Sequence, residues 1–123
     1  MGIDIYAQWR GQSEADRRRQ EAACLSVLAG STGYLREAYH GEPYATKFLC
    51  AEAFETGRAT IIAAVLRERL PKALEMVEIR QRNIYHETRA EIEEVKQSFR
   101  DFIALCEAKE QETGEPVRII ASY

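Results

Sequence analysis

Ile3-Asp4-Ile5-Tyr6-Ala7-Gln8-Trp9 alternates apolar and polar residues with period two and is rich in β-formers. That pattern predicts a half-buried strand, closed by Gly11. Ser13 then precedes Glu14, Ala15 and Asp16. A hydroxyl N-cap takes an orphan N–H and the acids suit the helix dipole, so a helix opens here. Its apolar face reads as Ala15, Ala22, Leu25 and Leu28. The stretch from Cys24 to Leu28 reads equally as a short strand, and Gly30 or Gly33 ends either. Residues 34–39 and 44–51 flank His40-Gly41-Glu42-Pro43, where Gly and Pro set a turn. The flanks are expected to form a hairpin, with a loop followed by one strand as the alternative.

From Gly57 the apolar period changes to 3.6. Ile61, Ile62, Val65, Leu66 and Leu70 form one stripe, which Pro71 is expected to end or kink. Leu74, Val77, Ile84 and Tyr85 follow, then Ile92, Val95, Phe99, Phe102, Ile103 and Cys106. The phase slips between Tyr85 and Ile92, and Thr88-Arg89-Ala90-Glu91 in that gap is a capping box. A helix unbroken over residues 72–112 would run about 60 Å, against a radius of gyration near ~14 Å for a compact domain of this length. A break or bend near His86 is therefore expected. Gly114 suits the residue after a helix end, and Pro116 to Tyr123 reads as a last strand.

Apolar faces at Ile3/Ile5 and Val117/Ile119 make the two terminal strands neighbours. Strands at both ends with helices grouped between them give an α+β fold. The expectation is a small antiparallel or mixed sheet that includes both terminal strands, packed against a helical hairpin or a broken long helix. With 123 residues, 46% hydrophobic and 30% charged, the chain fits a single domain over 1–123 that buries a real core. Cys24, Cys50 and Cys106 lie far apart among apolar neighbours and read as small buried hydrophobes, with reduced thiols as the default. The apolar run 59–66 is too short to span a bilayer, and no signal-peptide pattern opens the chain. A cytoplasmic protein without membrane contact is expected.

The formal net charge of −3 weighs against phosphate-backbone binding, so nucleic acid is not an expected partner. It leaves room for a small anion held by one local cluster. The densest chemistry lies in residues 33–48, where Tyr34, Arg36, Tyr39, His40, Tyr44 and Lys47 join aromatic surface to polar reach. Those residue types are favoured at binding surfaces. They are the candidate ligand-binding residues for a small anionic or aromatic ligand or a protein partner; packed rings with wet tips are the bland account. Neither His40 nor His86 has a partner at metal spacing, and no nucleophile, phosphate-loop or dinucleotide motif occurs. No catalytic set, metal or cofactor is therefore expected. Arg67, Arg69, Lys72, Arg80 and Arg82 interleave with acids and read as a solvated helix face.

Met1-Gly2-Ile3-Asp4-Ile5-Tyr6 resembles the opening of small uncharacterised bacterial and phage proteins, which begin Met-Gly-aliphatic-Asp-aliphatic-Tyr. Gly33-Tyr34-Leu35-Arg36-Glu37-Ala38 is similar to a Gly-Tyr-aromatic-Arg-Lys-Ala segment in some of them, with Leu35 and Glu37 at the aromatic and lysine positions. The resemblance covers about a tenth of the chain and implies only a host-defence or phage context. The function expected is a non-catalytic binding module using residues 33–48. The alternatives are an interaction protein dimerising through residues 58–112, and a small enzyme using His40 with Tyr34 or Tyr39.

Overall fold

The computed structural model describes residues 2–23 and 28–123. Strand β1 (Gly2–Gln8) buries Ile3, Ile5 and Ala7 on one face, as its period-two pattern requires. Helix α1 (Glu14–Ala22) follows, opened by a capping box in which the Ser13 hydroxyl accepts from the Asp16 N–H. A single 3-10 turn over Gly30–Thr32 leads into β2 (Tyr34–Ala38). Then come two short helices, α2 (Ala45–Leu49) and α3 (Ala53–Thr56), and the three-residue strand β3 (Arg58–Thr60). Two long helices, α4 (Ala63–Asn83) and α5 (Arg89–Thr113), precede the last strand β4 (Arg118–Ser122).

All neighbouring strands are antiparallel, in the order β2-β1-β4-β3. Both terminal strands lie at the centre, side by side, and the α+β architecture is the one the pattern predicts. Ile3, Ile5, Ala7, Leu35, Ile119 and Ala121 turn to one face, where they meet Leu66, Ala73, Val77, Phe99, Phe102 and Ile103 of α4 and α5 in the core. The helices run antiparallel. At one end the Glu110 carboxylate accepts from the first N–H of α4, Ala63, at 2.7 Å; at the other, Glu78 of α4 meets Arg89 and Lys96 of α5. The break falls at residues 84–88, where His86 adopts φ 52 and the Thr88/Glu91 capping box starts α5.

Three expectations are overturned, and the end or kink expected at Pro71 is narrowed. Residues 44–51 are not a strand, so there is no hairpin across the turn. Ala45, Thr46, Leu49, Cys50 and Ala53 are buried at three-to-four spacing, and the Glu37 carboxylate receives the first two N–H groups of α2, from Ala45 at 2.9 Å and Thr46 at 2.8 Å. An acid at these orphan donors favours the helix. Ala15 and Ala22 are exposed, as is Leu28 at 48%; the residue α1 buries is Gln20, whose amide donates to the Ala7 carbonyl at 2.6 Å. Cys24 and Leu25 lie outside the described residues. The helix does not end at Pro71. Leu66, Leu70, Ala73 and Val77 continue one buried stripe through it, and that packing outweighs the one backbone bond a proline removes, roughly 3 kcal/mol. Ile62 drops out of the stripe, 52% exposed: it precedes the first helical turn, and Ile61 takes the buried position.

Candidate functional site

Strand β2 is an edge strand, and its ladder fixes which way each group points. The Ala7 N–H donates to the Gly33 carbonyl at 2.8 Å, so alternation makes Ile5/Leu35 and Ile3/Glu37 the hydrogen-bonded pairs. Asp4/Arg36 and Tyr6/Tyr34 are then the close, non-hydrogen-bonded pairs, whose side chains meet above the sheet. There Arg36 donates to Asp4 Oδ1 at 2.8 Å, the Tyr34 hydroxyl donates to the same oxygen, and the Tyr34 ring lies 5.1 Å from that of Tyr6. Burial first, and the Asp4 carboxylate second, hold the Tyr34 phenol well above its ordinary pKa. It is a neutral donor to Asp4, unsuited to act as a base. The backbone groups of Arg36 and Ala38 turn outward, to the free edge.

Arg80 closes the end of that edge. Its guanidinium is buried, 1% exposed, and donates to the carbonyls of Ala38 and Gly41 and, at 3.5 Å, to that of Pro43. The carbonyls of 38, 41 and 43 thus converge on one guanidinium, in a turn where Gly41 sits at φ 128. A buried cation demands such partners, and the planar Arg fork supplies several donors at once. Arg80 also lies 4.9 Å from the Tyr44 ring centre and 5.7 Å from that of Tyr85, at cation–π distance. Glu37, 6% exposed, lies 3.9 Å from Arg80 Nε and caps α2.

Between this edge and the α4–α5 turn lies a cavity of about 170 Å³. Val77, Val95 and Phe99 give it apolar walls; Arg36, Arg80, Gln81, Tyr85 and Glu87 give it polar ones. Gln81 donates to Glu87 Oε1 at 2.8 Å. Burial, and then the nearby Glu91 charge, raise the Glu87 carboxyl above its ordinary range.

Of the residues singled out from the sequence, Arg36 alone lines this cavity. Tyr39, His40 and Tyr44 gather beside it around Arg80 and Tyr85: His40 stacks on Tyr85 at 5.6 Å and Tyr39 meets Tyr44 edge-on at 5.9 Å. Lys47 sits 4.9 Å above the Tyr44 ring. Tyr34 is on the outer sheet face with Asp4, so the six do not converge on one concavity. Arg80 corrects the reading of α4: it belongs to no solvated face. Its signal was present in the sequence, since position 80 follows Ala73 and Val77 on the buried stripe by seven and three residues. Glu37 carried no signal, because its partners exist only once α2 forms. Cys50 and Cys106 are buried free thiols, and burial pushes both pKa values up, so neither is a nucleophile. Among the described residues no three His, Cys, Asp or Glu side chains are grouped to hold a metal ion.

No family model, curated protein or solved structure matches the chain.

Proposed function

We propose that the protein is a non-catalytic binding module whose site is the cavity between the β2 edge and the α4–α5 turn. It takes a small ligand, or one side chain of a protein partner, with an apolar body and one anionic or aromatic end. The observation that carries this reading is the cavity itself: apolar walls opposite outward-turned backbone of Arg36, rimmed by a few polar groups. Pockets that bind small molecules pair an apolar lining with few placed polar groups. The volume suits a benzoate-sized molecule.

Thermal shift against benzoate, benzamide and branched-chain carboxylates tests it, with Val95→Phe as the filled control. Stabilisation of the wild type that disappears in a folded Val95→Phe variant is the expected result. No stabilisation by any probe, or an equal shift in the variant, contradicts it.

A second reading, dimerisation through residues 58–112, is favoured by one observation. Pro71, Leu74 and Ile79 line an open groove between α4 and α5, and Ile79 is 42% exposed. It predicts a dimer by light scattering that Ile79→Glu dissociates.

A further inference from the structure

Among the described residues most cations have a carboxylate partner, and two of the four that lack one lie together. Arg17, Lys47, Arg58 and Arg118 are the cations without a carboxylate partner among the described residues. Arg58 and Arg118 are side by side on the sheet face turned away from α4 and α5. The register sets Arg58 opposite Ile120 and Arg118 opposite Thr60, so the two arginines are diagonal neighbours, roughly 7–8 Å apart along the sheet. Two exposed like charges at that spacing repel, and neither has an acid to offset the other. A net charge of −3 for the whole chain makes the local surplus more pointed.

Beside them the end of the sheet opens into a cleft of about 460 Å³, lined by Gln8, Trp9, Thr60, Pro116 and Arg118 with the pair Arg10 and Glu115. The acid in that lining is already engaged, since Arg10 donates to Glu115 at 2.9 Å and to the Thr113 carbonyl at 2.8 Å. The indole of Trp9 is half-buried at the rim of the core and held by Lys109, whose Nζ lies 5.1 Å from the ring centre. The cleft thus combines an aromatic wall in Trp9, neutral hydrogen-bonding groups in Gln8 and Thr60, and the unpaired guanidinium of Arg118, while Arg58, its diagonal neighbour on the sheet, lies outside the lining.

We propose that this cleft is a binding site for a small phosphorylated ligand with a flat ring, a mononucleotide in chemical class. The ring packs on Trp9 and the phosphate lies between Arg118 and Arg58. Guanidinium forks match phosphate oxygens in geometry as well as charge, and ring stacking on aromatic side chains tolerates any base. The site is separate from the β2-edge cavity and stands or falls without it.

Trp9 is the single tryptophan, so its fluorescence reports the site directly. Adenosine monophosphate is titrated against the wild type, Arg118→Ala and Arg58→Ala, with adenosine, inorganic phosphate, single-stranded oligoadenylate and polyglutamate as comparison probes. Both substitutions are on exposed side chains, and circular dichroism verifies that each variant is folded. Expected is a saturable change in emission with adenosine monophosphate, a Kd raised about tenfold by either substitution, the equivalent of about 1.4 kcal/mol, and at least that much weaker binding of adenosine and of phosphate alone. No saturable change, or a Kd untouched by both substitutions, overturns the site. Tighter binding of oligoadenylate than of its monomer would reassign it to single-stranded nucleic acid, and tighter binding of polyglutamate to an acidic protein; either overturns the assignment made here.

Discussion

Arg80 shows how one side chain can organise a region that its sequence neighbourhood disguises. Four of its contacts are carbonyls or a hydroxyl on the turn 38–43 and on Tyr85, so truncating it leaves part-buried acceptors without donors. Arg80→Ala is expected to cost about 3–5 kcal/mol, read from urea unfolding, and Arg80→Lys to recover little, because an ammonium cannot serve several carbonyls in one plane. Glu87, in the α4–α5 turn, and Glu78, on α4, should respond oppositely to removal of charge. Glu87 has its folded-state pKa raised by burial; any stability linked to it is present below its ordinary pKa and lost as pH rises through the folded value. Glu87→Gln is therefore expected to stabilise the protein at neutral pH, by thermal unfolding. Glu78 has its pKa lowered from 4.5 to about 2, by Arg89 first and then Lys96. Its contribution is present above 4.5 and lost as pH falls toward 2, so Glu78→Gln should flatten the acid limb of the stability profile over that window and lower stability at neutral pH.

At the scale of elements, what was legible in the sequence was whatever a local period encodes. β1, the Ser13 N-cap of α1, the α4 and α5 stripes, the break at His86 and β4 all follow from spacing and caps within a few residues. The short middle elements do not. Helix α2 spans five residues, too few to show a period, and it exists because Glu37 on another element receives its N–H groups. β3 has three residues and is defined by its pairing to β4. The connection into β2 is just as dependent on tertiary contact. The Gly30 N–H donates to Ser98 Oγ at 2.8 Å, and a Cβ at Gly30 would fall 1.7 Å from the Ser98 carbonyl oxygen. Gly30→Ala therefore has to push the 3-10 turn off α5, with a loss of about 1–3 kcal/mol by urea unfolding.

For the whole molecule, the sheet has two different faces and two different edges, and candidate sites sit where each is left unfilled. One face is closed by α4 and α5; the β2 edge is closed at one end by Arg80 and left as a cavity beside Arg36. Of the six residues picked out in 33–48 only Arg36 lines it; Tyr39, His40 and Tyr44 stand beside it around Arg80. Most of its lining comes from residues 77–99 on α4, the turn and α5, and no pattern within one segment could have joined them. No helix among the described residues is long and apolar enough to cross a membrane.

The central claim is that the cavity between β2 and the helical turn binds a ligand. The most direct measurement is a set of amide spectra of the ¹⁵N-labelled protein with and without millimolar benzoate. Shifts concentrated at Arg36, Val77, Gln81, Tyr85 and Glu87, and absent in Val95→Phe, are the predicted result. An unchanged spectrum, or shifts that survive in the filled variant, would contradict it.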